Sequence, residues 1–119
     1  MKRRLILTSA LSALITWSAL VCAGWGPLPT RTKLENKRVK VTEVTYPPGV
    51  ARPRDVRAAD QVIVFLNDCR YERTDSKTGE KTVRERKSGD VIWHDKGEDA
   101  PQLINLGSKP YRTLVIEIH

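Results

Sequence analysis

The chain has 119 residues, 39% hydrophobic and 29% charged, with 21 Lys and Arg against 14 Asp and Glu for a formal charge of +7. That length suits one main domain with a modest core, and two cysteines exclude a fold held by a disulfide network. The bases are interleaved with acids, as in Arg70, Glu72, Arg73, Asp75, Lys77 and Glu80, which excludes the concentrated patch that nucleic acid requires.

Lys2, Arg3 and Arg4 form a basic start, and Leu5 to Ala23 follows without a charge, the layout of a secretory signal helix over residues 1–23. A cut between Ala23 and Gly24 puts Val21 and Ala23 at the small-residue positions, and Trp25, Gly26, Pro27 and Pro29 follow as extended chain. An uncleaved anchor competes, since 19 uncharged residues approach the roughly 20 that span a bilayer. Ser9, Ser12, Thr16 and Ser18 dilute the run, and Val21 is too bulky for lipid attachment at Cys22. The processed chain, residues 24–119, is expected to be periplasmic or secreted, to meet a membrane only through its leader, and to carry 18 bases against 14 acids, or +4. It keeps Cys69 alone, either a small buried hydrophobe or a thiol free to react or bridge chains.

Residues 24–37, rich in Pro, Gly and charge, read as an extended arm before the domain at 38–119. Arg38 to Tyr46 reads as a strand whose apolar phase slips between Val41 and Val44, as a bulge would produce. Pro47, Pro48 and Gly49 end it, and Arg52 to Ala59 is a loop carrying Arg52, Arg54 and Arg57. Val62 to Leu66 is a short continuous apolar run, the mark of a strand covered on both faces. Cys69 to Thr74 and Glu80 to Lys87 read as a hairpin, with Gly79 free to take a positive φ and with Arg70, Glu72, Arg84 and Glu85 as exposed cross-strand charges. Ser88 to Asp90 form a turn before Val91 to Trp93, then a polar loop from His94 to Asp99, a short strand at Gln102 to Asn105 and a last strand from Tyr111 to His119. With no sustained helical period after the leader, the class is all-β, closed or sandwiched.

Gly49, Gly89 and Gly97, the strands around them and the closing Leu/Ile/Val strand resemble the cupin family over roughly Arg38 to Ile118. In that family a Gly precedes His-x-His and Glu, and a later Gly, turn Gly, His and Asn complete the pattern. Here the corresponding ligand positions fall on Asp55, Arg57, Gln61 and Ala100, and the Asn position falls on Ile104, one short of Asn105. The resemblance implies a small β-barrel or jelly roll with a central pocket, like the signal-bearing single-domain cupins of bacterial envelopes, and a possible homodimer through a sheet face. A divalent metal needs converging imidazoles and carboxylate, so no ordinary metal site is expected and no other cofactor is implied.

Two groups of residues are candidates for chemistry. Arg54 or Arg57 offers a planar fork to a small anionic ligand at the pocket mouth, and the competing reading is a pair of solvated loop charges. Trp93, His94, Asp95 and Glu98 crowd one turn. His94 suits a general base, or a displaced transition-metal site with Asp55 or Asp60, and the plainer reading is a histidine hydrogen-bonded within its loop. Trp93 is expected in the core or pocket wall. Two functions stay open: an exported, non-catalytic small-ligand binding or envelope-associated module, or a metal-dependent oxygenase or isomerase on an atypical ligand set.

Overall fold

The computed structural model describes residues 28–119. The leader, its cut between Ala23 and Gly24, and the start of the arm lie outside the described residues. These fold into eleven strands: β1 (Thr30–Glu35), β2 (Val39–Tyr46), β3 (Ala51–Arg52), β4 (Asp55–Val56), β5 (Asp60–Phe65), β6 (Cys69–Thr74), β7 (Lys81–Arg86), β8 (Val91–His94), β9 (Asp99–Ala100), β10 (Gln102–Asn105) and β11 (Tyr111–Ile118). No helix occurs among them.

A five-stranded sheet in the order β1-β2-β11-β5-β8 packs against a four-stranded sheet in the order β3-β10-β6-β7, and β4 pairs with β9 as a small third ribbon. Neighbouring strands are antiparallel throughout. The core lies between the two large sheets: Tyr46, Ile63, Phe65 and Tyr111 come from the first and Tyr71 from the second, with Leu103 packed against them. The rings of Tyr46 and Tyr111 stack at 4.6 Å, within the range that favours offset aromatic pairs.

Residues 30–35 of the extended arm form β1, the edge strand beside β2, and three expectations change. The bulge sits in β1, where Lys33 is the extra residue between the pairs Thr32↔Thr42 and Leu34↔Val41. β2 itself runs in unbroken register with β11 from Tyr46↔Tyr111 to Val39↔Ile118. Its phase slip arises because Val44 and Tyr46 face inward while Val39 and Val41 face outward, so both faces are apolar. The loop at Arg52 to Ala59 holds the short strands β3 and β4. Finally, β5 is covered on one face only: Gln61, Ile63 and Phe65 are buried, while Val62 and Val64 stay half-buried.

The hairpin between β6 and β7 forms as its sequence dictates. The Asp75 carboxylate accepts the amides of Lys77 at 2.8 Å and Thr78 at 2.9 Å, and Gly79 closes the turn with φ of 76°.

Candidate functional site

Period-two alternation decides which side chains enter the space between the sheets. Tyr71 faces inward, so Arg73 on the same strand does too, and the register Tyr71↔Arg84 and Cys69↔Arg86 carries Arg84 and Arg86 inward with them. On the other side of β10, Arg52 pairs with inward-facing Leu103. Arg57 enters from the turn before β5. These five arginines line one cavity of about 190 Å³ whose carboxylates, among the described residues, are Glu98 and Asp99, an excess of three positive charges. The volume lies below the roughly 300–1,000 Å³ of drug-sized pockets and suits a small ligand.

Arg57 is only 8% exposed. Its Nη1 donates to Gln61 Oε1 at 2.9 Å, while its Nε–H, though buried, has no partner among the described residues. Burial first, and then the neighbouring Arg52, lower its pKa from the ordinary value, although a guanidinium remains charged at any physiological pH. Arg52 donates from Nη1 to Tyr46 Oη at 3.2 Å and from Nη2 to the Pro101 carbonyl, and its Nε–H is likewise buried and unpartnered. The Tyr111 hydroxyl and Thr113 Oγ1 complete a set of four buried, unpaired polar atoms, all on cavity residues. Arg86 lies 5.6 Å over the Phe65 ring and donates from Nε to Tyr71 Oη at 3.4 Å, which fixes the guanidinium in the wall.

A second space of about 420 Å³ adjoins the first and shares Tyr46, Arg52, Arg57 and Ile63 with it. It also takes in Gln61 and the β4 ribbon.

Of the residues singled out from sequence, Arg57, His94 and Glu98 line the arginine cavity and Gln61 supports Arg57. His94 Nδ1 lies 2.9 Å from Glu98 Oε2, and Glu98 Oε1 accepts the Asp95 amide at 2.8 Å. The bond to His94, then the Asp95 amide, holds the Glu98 carboxyl below its ordinary pKa. Arg54 and Asp55 instead border the second space, and Arg54 is committed to Asp99 at 2.7 Å. Trp93 lies outside. Its register partner Val62 is on the outer face of β5, so Trp93 is 51% exposed and bonds from Nε1 to Asp95 Oδ1 at 2.8 Å. It is neither core nor pocket wall, and Asp95 goes with it to the surface. Arg84 stays exposed as a cross-strand charge and also borders the cavity, while Arg70 and Glu85 pair outside at 3.9 Å. Cys69 is half-buried against the core, and burial pushes its thiol up to about 11.

No family model and no curated protein sequence matches the chain. Solved structures do. A cupin domain from Bordetella pertussis Tohama I superposes with a TM-score of 0.69 at 22% identity, covering 78% of this chain and 94% of that one. The fold is that of a cupin. The Cupin_2 domain of an XRE family transcriptional regulator from Enterobacter cloacae gives a TM-score of 0.61 at 10% identity over 79% of this chain and 98% of the other. The DMSP lyase DddQ from Ruegeria pomeroyi DSS-3 gives 0.61 at 16% over 90% and 55%. A regulator's domain and an enzyme thus share this architecture.

Cupins often hold a metal, and the residues at the corresponding positions do not fit one. Arg57 puts a cation beside Arg52, Gln61 is engaged by Arg57, and Ala100 offers no donor. Asp55 is exposed and accepts its neighbour's amide, Val56 N–H, at 2.8 Å. Among the described residues no three His, Cys, Asp or Glu side chains gather as a metal-holding group, and His94 and Asp55 belong to no such cluster.

Proposed function

We infer that this chain is an exported cupin-fold module that binds a small carboxylate- or phosphate-bearing anion between its sheets. The observation that carries the reading is the pair of buried Nε–H groups of Arg52 and Arg57, both unpartnered, in a cavity where arginines exceed carboxylates by three. A guanidinium Nε–H that has lost water and gained no protein acceptor is destabilised, and an anion would supply the missing acceptor. Tyr111 and Thr113 add two hydroxyls able to orient it. The leader pattern at residues 1–23 supports a periplasmic or secreted setting.

Titration calorimetry of residues 24–119 against succinate, malate, galacturonate and inorganic phosphate tests this. At least one should bind with one-to-one stoichiometry and weaken as salt rises. Arg57→Gln should cost about 1.5–3 kcal/mol, roughly a 10- to 150-fold loss. Absence of binding by every one of them would sink the reading. The His94–Glu98 pair favours a second function, an acid–base or metal-dependent enzyme, because an imidazole fixed by a carboxylate lines the same cavity. A stoichiometric transition metal in protein purified from the periplasm would turn the assignment to that enzyme.

A further inference from the structure

The second space, about 420 Å³, is lined differently from the arginine cavity it adjoins. Tyr46, Arg52, Arg57 and Ile63 border both, so the two arginines with unpartnered Nε–H groups stand at the junction. Beyond the junction the wall turns apolar, with Leu28, Val44, Val56, Ala100 and Val115. The sheet order β1-β2-β11-β5 lays part of that wall out as a strip. Ile63 of β5 pairs with Val115 of β11, Val44 of β2 pairs with Thr30 of β1, and all four line the space. Three inter-strand steps of about 4.8 Å make the strip roughly 14 Å long. Leu28, a buried member of the core cluster, borders it.

Charge divides the two compartments as well. The arginine cavity sets five guanidinium groups against Glu98 and Asp99. Past the two shared arginines, the second space adds Asp55, Glu117 and Arg54, and Arg54 is committed to Asp99 at 2.7 Å. A second acidic group placed there would meet carboxylates and no free guanidinium, whereas an uncharged tail meets no such penalty. Size fits the same division. The arginine cavity, about 190 Å³, suits an acidic head alone. An apolar cavity of about 150 Å³ takes up a six-carbon ring, so 420 Å³ has room for a tail of roughly eight carbons.

Resting on the anion-binding reading above, we propose that the ligand is a single-headed amphiphile. Its one carboxylate or phosphate accepts the Nε–H groups of Arg52 and Arg57 at the junction, and its tail of about eight carbons lies along the strip of Ile63, Val115 and Val44. The head supplies the acceptors that the buried arginines lack, and the tail removes apolar wall from water. A diacid of the same length would leave its second charge beside Asp55 and Glu117.

Titration calorimetry of residues 24–119, which contain every described strand, with butyrate, hexanoate and octanoate below their micelle-forming concentrations tests this. A fully buried methylene raises affinity about fourfold, so partial burial should still give roughly tenfold or more from butyrate to octanoate. Octanedioate should bind roughly tenfold more weakly than octanoate. Octyl phosphate tells a phosphate head from a carboxylate, and tight binding by either supports the proposal. Arg57→Gln should weaken butyrate and octanoate by a similar factor, because both heads sit at the same guanidinium. Val115→Ser should lower the ratio of octanoate to phosphate affinity by about fivefold or more. Should that variant fail to fold, Val56→Glu, at a position 54% exposed, supplies the same test. Affinity that stays flat from butyrate to octanoate, while phosphate or butyrate binds, overturns the tail assignment and leaves the anion reading standing; no binding by any acid overturns both. Octanedioate as tight as octanoate also overturns the proposal, as does octanoate binding undiminished in Arg57→Gln, which would place the amphiphile elsewhere on the surface.

Discussion

Replacing Tyr111 by Phe separates stability from function in this cavity. The side chain is 2% exposed and its ring stacks on Tyr46, contacts that Phe retains. Its hydroxyl is buried without a partner among the described residues, and burial raises its pKa so that it stays protonated. A buried hydroxyl with no hydrogen bond costs about 1–3 kcal/mol. Deleting it should therefore stabilise the ligand-free domain by about 1 kcal/mol, a rise in Tm of about 4–8 °C for a domain of this size. Anion affinity should move the other way, by about 1.5–3 kcal/mol or roughly 10- to 150-fold, if the hydroxyl donates to the bound charge. Differential scanning fluorimetry and titration calorimetry on the same preparation read both quantities. A lower Tm with unchanged affinity would refute the reasoning, since it would show that the hydroxyl serves the fold.

Three further outcomes follow from the same geometry. Arg54→Ala should leave anion affinity within about twofold and stability near wild type, because Arg54 itself does not line the arginine cavity and its exposed pair with Asp99 is solvent-screened; calorimetry and a thermal melt check both. Glu98 is held below its ordinary pKa by His94 and the Asp95 amide, and Asp75 by the Thr78 and Lys77 amides. Groups depressed in the folded state add stability above their unfolded pKa and lose it as pH falls through the folded one, so melts should drop below about pH 4 and E98Q should flatten part of that slope. Cys69, its thiol raised to about 11 by burial, should resist iodoacetamide at pH 7.5 in the native domain and react on unfolding, as mass spectrometry would register.

The β class, the hairpin at Asp75 to Gly79 and the bounds of β10 were legible because each depends on neighbours in sequence. The site was legible only in part. Arg57 could be singled out from its place in the resemblance, whereas Arg52, Arg73, Arg84 and Arg86 form a group only once three strands from different parts of the chain are laid side by side. One signal was available: Arg84 and Arg86 are two apart in a strand and must share a face. It was masked by charges on the opposite face of the same hairpin, such as Arg70 and Glu85, which make the strand look solvated on both sides. The outward position of Trp93 is hidden in the sequence for a related reason. In Val91, Ile92 and Trp93 all three residues are apolar, so alternation does not say which faces the core, and it is Ile92 that does.

The most direct test is a crystal structure of residues 24–119 grown with the tightest-binding of the titrated anions. The ligand should lie between the sheets, with its acidic oxygens within about 3.2 Å of Arg52 Nε and Arg57 Nε. An anion found only at outer loops, with both guanidinium Nε atoms still unpartnered, would contradict the assignment of this cavity as the binding site.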